Sequence, residues 1–175
     1  IPLKTYPKIT FKLTIKGVNE MNFRIESKES FKIIGLKGNS VEEDGCDKLW
    51  SRFMKSYNER LWKNGINYYK PPFWQVGAYM YGTSDCIIGA ELGDKLILDS
   101  MDIETIPAAT WAVFTITSAS GSIEAGEAYT RITTEWFPTS TYKRNENVPQ
   151  LEVYPDGNAN SNDYQWEIWM PILNK

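Results

Sequence analysis

The chain has 175 residues with a net charge of −3, seven tryptophans, ten tyrosines and no histidine. That length suits one domain with a core of its own. The missing imidazole excludes Ser-His-Asp and Cys-His catalysis and nearly every catalytic zinc site, and the acidic balance argues against a phosphate-gripping surface on this segment.

The first residues, Ile1-Pro2-Leu3-Lys4, do not form a signal peptide, and no apolar run approaches the roughly eighteen residues of a membrane span. A start other than methionine is read as truncation, with an N-terminal partner domain left out. From Ile9 to Ile15 apolar and polar residues alternate, the period-two mark of a half-buried strand. Asn22 to Ile25 and Ser30 to Leu36 read as two more extended segments. Asp44 to Lys63 carries Leu49, Trp50, Phe53, Met54, Tyr57 and Leu61 at helical spacing, with Gly65 as the stop. Tyr68 to Phe73, with its paired prolines, is a loop. Trp74 to Tyr81 and Cys86 to Leu92 read as strands joined by a Gly82-Thr83-Ser84-Asp85 turn.

The second half repeats the order. Ala109 to Ile116 is a strand pattern, and Ser122 to Trp136 is helical with Ala125, Tyr129, Ile132 and Trp136 on one face. Leu151 to Tyr154 and Tyr164 to Ile172 make a closing hairpin. Laid over each other, Gln75–Tyr79 matches Gln150–Tyr154, so that Gly77 stands opposite Glu152, and Cys86–Ala90 matches Trp166–Met170. The expected fold is therefore α+β: a strand-helix-strand-strand unit used twice about a pseudo-two-fold, with antiparallel sheets, helices on one side and a ligand cleft between the halves. The uncovered sheet faces are expected to meet or to flank that cleft. Cys46 and Cys86 lack disulfide-scaffold or metal-ligand spacing and are expected to be reduced thiols, and no metal or cofactor is expected.

Four stretches carry a family resemblance: Phe31-Lys32-Ile33-Ile34-Gly35-Leu36, Ile106-Pro107-Ala108-Ala109-Thr110-Trp111-Ala112-Val113-Phe114, Thr134-Glu135-Trp136-Phe137-Pro138 and Glu167-Ile168-Trp169-Met170-Pro171-Ile172. In this order they resemble the GyrI-like effector-binding domains. The leader, Tyr6 to Leu13 and on to Met21-Asn22-Phe23-Arg24-Ile25, resembles the connector that follows AraC-type helix-turn-helix regions. The resemblance implies residues 1–20 as connector and first strand, and 21–175 as the effector-binding domain with halves at about 22–92 and 105–173. It also implies a cytoplasmic sensor of a small-molecule effector, hydrophobic or cationic, within a bacterial transcription regulator. DNA would be reached only through the missing N-terminal domain, and no membrane is involved. The same fold includes hydrolases of electrophilic toxins, which here would use Glu152, and gyrase-modulating interaction proteins.

Alternation puts Glu152 and Tyr154 on one strand face and Leu151 and Val153 on the other; if the latter face the helix-covered core, Glu152 faces the cleft. The resemblance places the ligand-anchoring acid at this Glu-x-Tyr position. Glu167 and Trp169 share a face of the last strand, which makes Glu167 a candidate second carboxylate or an arginine partner, with Arg131 or Arg144 in view. Trp111, Tyr79, Tyr154 and Trp169 are expected near the cleft, with Trp74, Trp50 and Phe53 as further candidates, because rings around a carboxylate suit a lipophilic cation. No catalytic residue is assigned.

Overall fold

The computed structural model describes residues 21–39, 45, 48–55, 75–92, 101–117, 122–155 and 157–175. The expected strand at Ile9 to Ile15, the helix beyond 48–55, Gly65, the Tyr68 to Phe73 loop, Trp74 and Cys46 lie outside the described residues. Among the described residues there are nine strands: β1 Phe23–Lys28, β2 Phe31–Asn39, β3 Gln75–Tyr79, β4 Asp85–Glu91, β5 Asp102–Ile106, β6 Ala109–Thr117, β7 Tyr142–Arg144, β8 Gln150–Tyr154 and β9 Gln165–Asn174. They form one sheet in the order β1-β6-β9-β8-β3-β4-β2-β5, with β7 on β9. Every pair is antiparallel. The helix at 48–55 is α1. Ser122–Arg131 is α2, continued by a wide π-type turn at Ile132–Trp136 and a single turn, α3, at Phe137–Thr139.

β3 and β8 meet at the centre, with Gln75 opposite Tyr154, Gly77 opposite Glu152 and Tyr79 opposite Gln150. This is the sequence overlay of Gln75–Tyr79 on Gln150–Tyr154 turned through a two-fold that passes between Gly77 and Glu152. The same operation carries the β3-β4-β2-β5 half onto the β8-β9-β6-β1 half.

The sequence pattern did not reveal β5 or β7, nor the exchange of leading strands between the halves. β1 pairs with β6 of the other repeat, and β5 pairs with β2. Lys28 opposes Ala109 and Phe31 opposes Ile106, so the register crosses the Glu29-Ser30 and Pro107-Ala108 bends without a slip. Because two residues join β1 at one end of the strand order to β2 near the other, the sheet has to roll until its ends meet.

Its inner, helix-free face packs into one cluster of Ile33, Val76, Ala78, Ile87, Ile106, Trp111, Val113, Leu151, Val153 and Trp169 with their neighbours. The outer face carries the helices. Leu49 and Phe53 of α1 pack on Cys86, Ile88 and Ala90, whereas Ala128 of α2, Ile132 and Trp136 pack on Phe114, Trp166, Ile168 and Met170.

The uncovered faces therefore meet, as one expected alternative had it, and they form core rather than a cleft. Leu151 and Val153 belong to that inner core and not to the helix-covered one, which corrects the expected facing of β8. The polar side chains of β3 and β8 lie on the helix side, and the strip of sheet between the α1 and α2 packs is the candidate groove. At the centre of this face of β3, Gly77 has no side chain and lets the Tyr79 ring lie across it; an added Cβ would stand 2.8 Å from the Tyr79 hydroxyl.

Candidate functional site

Glu152 occupies the middle of this groove, half-buried, on the strand face that β8 turns toward the helices. Its carboxylate accepts three phenolic hydroxyls. Tyr79 donates to Oε2 at 3.0 Å and Tyr154 to the same oxygen at 3.1 Å, while Tyr129 of α2 donates to Oε1 at 2.9 Å. Tyr79 and Tyr154 are counterparts under the two-fold, each reaching back over the residue two positions before it.

Aromatic rings extend the arrangement on both sides. Trp50 of α1 donates its indole N–H to the Tyr79 hydroxyl at 3.4 Å and meets Tyr154 edge-on at 5.2 Å. Trp166 stacks beneath Tyr154 at 5.1 Å. Both helices thus touch the carboxylate, α2 directly and α1 through Trp50 and Tyr79. Burial pushes the Tyr129 phenol well above the ordinary tyrosine range, and the Glu152 charge adds to the rise. Tyr129 is therefore a donor at every physiological pH. Three hydroxyls thus orient the carboxylate among aromatic rings.

Of the residues singled out from sequence, the structure brings Glu152, Tyr154, Tyr79 and Trp50 together. Phe53 is 1 % exposed and serves the α1 core. Glu167, Trp169 and Trp111 are on the wrong side of the sheet. Leu151 pairs with Trp169 and Glu152 with Ile168, so Ile168 is the β9 neighbour that shares the face of Glu152. Trp111 and Trp169 are wholly buried in the inner core, edge-on at 6.0 Å. Glu167 binds an arginine, but Arg24 rather than Arg131 or Arg144, at 2.6 Å, and it accepts the Trp169 indole N–H at 2.8 Å.

Sequence reasoning missed Tyr129 as a ligand of Glu152 and Trp166 as the buried ring beneath Tyr154. For Tyr129 a signal existed: a tyrosine in the sheet-facing stripe of α2 needs an acceptor for its hydroxyl. Arg144 carried none as a neighbour of Gln150, because three-residue β7 has no pattern to read.

The family model of the integron-associated effector binding protein matches residues 24–172. The chain belongs to that family. The resemblance to GyrI-like effector-binding domains is borne out, and so is the duplicated α+β fold. No curated protein sequence matches. Among solved structures, this effector-binding domain is similar to SAV2435 bound to tetraphenylphosphonium, at 14 % identity and TM-score 0.65 over 87 % of this chain and 94 % of that one. It is similar to the EcmrR C-terminal domain, at 12 % identity and TM-score 0.65 over 90 % and 100 %. The chain of an EcmrR-DNA complex is matched over 58 % of its length. An integron cassette protein from the mobile metagenome of Vibrio cholerae aligns at 11 % identity and TM-score 0.53 over 86 % and 95 %. At these identities the likeness shows the fold, and the residues of the groove have to be argued from this effector-binding domain itself. Among the described residues, no helix is long and apolar enough to cross a membrane.

Proposed function

We propose that the groove binds a lipophilic cationic effector, with Glu152 as its anchor and Tyr79, Tyr129, Tyr154 and Trp50 as its walls. One observation carries the reading: a half-buried carboxylate on the two-fold, held by three tyrosine hydroxyls at 2.9 to 3.1 Å and bordered by tryptophans. A cation over each ring face contributes about 0.5 to 2 kcal/mol, and an oriented acid adds its Coulomb attraction. That SAV2435 has been captured with tetraphenylphosphonium supports a guest of this class in this fold.

Binding at this position would bear on both helices at once, since α1 and α2 each reach Glu152 through a tyrosine. A sensing domain attached to a DNA-binding one can use such a coupling, and EcmrR, whose C-terminal domain shares the fold, occurs in a DNA complex. We extend the reading to a regulator in which DNA is bound by a separate, AraC-type domain. The gene's full reading frame tests this: one that encodes no helix-turn-helix patterns removes it.

The groove itself is tested by titrating tetraphenylphosphonium, with neutral triphenylphosphine oxide as control, and following tryptophan fluorescence. The cation is expected to bind more tightly, and Glu152→Gln to weaken it about tenfold or more, or about 1.4 kcal/mol per decade. Equal affinity for both compounds in both proteins overturns the assignment. Turnover of an epoxide or cyclopropane substrate that is lost in Glu152→Gln replaces it with a hydrolytic role for the same carboxylate.

A further inference from the structure

Arg144 stands at the Gln150 end of the β8 row. β7, paired with β9, places it where its guanidinium stands 4.5 Å above the Tyr81 ring and donates to the side-chain oxygen of Gln150. Its Nε–H is buried and has no acceptor among the described residues. The ion pairs of the described residues do not include it. Glu146, exposed on the turn after β7, acts on it only through space.

Gln150 and Glu152 project from the same face of β8, two residues or roughly 7 Å apart. The groove floor therefore reads, in order, Tyr81 with Arg144, Gln150 beside Tyr79, then Glu152 beside Gly77. The guanidinium held by Gln150 and the carboxylate of Glu152 are thus presented along one face of β8, at positions two residues apart. The two are not joined to each other, because the guanidinium is occupied by a neutral amide and a ring.

An arginine held this way retains its charge and much of its donor capacity. Exchanging the Gln150 amide for a carboxylate turns an ion–dipole hydrogen bond into an ion pair to which the planar fork can donate in bidentate form.

We propose that Arg144 is a second subsite of the groove and that the preferred effector is zwitterionic, with a lipophilic cationic centre for Glu152 and a carboxylate for Arg144. This rests on the assignment of Glu152 as cation anchor. The ester or amide of such a molecule would fit the groove but leave Arg144 on Gln150.

The test uses two dyes with one chromophore: rhodamine 110, whose free carboxylate makes it a zwitterion, and its methyl ester rhodamine 123, a monocation. Fluorescence anisotropy at neutral pH gives both affinities. The wild-type protein is expected to bind the zwitterion about tenfold more tightly than the ester. Arg144→Gln is expected to bring that ratio to about one while the ester stays within about twofold, and Arg144→Lys to retain part of the preference. Glu152→Gln weakens both dyes, and an ester affinity untouched by that substitution would instead count against the Glu152 assignment. Should Arg144 merely brace β7, Arg144→Gln lowers Tm and weakens both dyes in parallel at an unchanged ratio. That result, or a wild-type protein that prefers the ester, overturns the proposal.

Discussion

Gly77 and Glu152 face each other across the β3-β8 pair on the local two-fold, equivalent in position and opposite in chemistry. A symmetric residue here would put two like groups in contact on the axis. Instead one half provides the acid and the other the absence of a side chain, over which Tyr79 leans to reach it.

Gly77→Ala tests that division. Its Cβ would lie 2.8 to 3.0 Å from the hydroxyl end of the Tyr79 ring, which has to swing away and release Glu152. We expect a stability loss of about 1 kcal/mol and a several-fold weaker tetraphenylphosphonium complex. A double-mutant cycle with Tyr79→Phe is expected to show coupling above about 0.5 kcal/mol. Simple additivity would mean that the ring is not what moves.

Tyr129 makes the domain sensitive to alkali. Its phenol is held well above the ordinary tyrosine value of 10.0 in the folded protein, first by burial and then by the Glu152 charge. Between the unfolded and folded pKa values the native state holds a proton that the unfolded chain has lost, so stability falls as pH rises there. The full contribution is present below about pH 10. Thermal melts of Tyr129→Phe are expected to show a shallower alkaline decline than wild type, and a loss of about 1 to 3 kcal/mol at neutral pH where Oε1 is deprived of its donor. Parallel alkaline slopes would contradict this.

Gly35 and Gly89 oppose each other in β2 and β4 so closely that a Cβ on either would meet a backbone carbonyl oxygen at 2.1 Å. No rotamer change relieves a backbone clash. Gly89→Ala is expected to cost at least about 2 kcal/mol in urea unfolding. A neutral result would show that β2 and β4 lie farther apart.

Glu167→Gln provides a contrast with Glu152→Gln. The Arg24 side chain of its ion pair is 46 % exposed, so we expect a stability change of no more than about 1 kcal/mol. Because Glu167 lies on the inner face, tetraphenylphosphonium affinity is expected to stay within about twofold. A large loss of affinity would move the anchor across the sheet.

Much of this was legible in the sequence. Strand patterns located β6, β8 and β9, helical spacing located α1 and α2, and the overlay that set Gly77 against Glu152 gave the two-fold on which these two residues face each other in the antiparallel β3-β8 pair. The Glu-x-Tyr pair was readable because a carboxylate and a tyrosine on one face of an otherwise apolar strand have to go somewhere polar.

Alternation states which residues share a face but not where that face points. Both faces of this sheet are buried, one inside the roll and one beneath helices; Cys86 to Glu91 of β4, for example, is buried throughout. Hydrophobicity could not then choose the side for Leu151, and Glu167, Trp169 and Trp111 were grouped with Glu152 although they belong to the other face. The edge strands β1 and β5 are largely exposed and lack an apolar stripe, so β1 was read only as the extended segment Asn22 to Ile25, and neither β5 nor the exchange between halves left a periodic trace. Which chemistry-bearing groups converge was settled by pairing partners far apart in sequence. Register across β8 and β9 put Ile168 beside Glu152, and the fold of β7 onto β9 brought Arg144 to the groove.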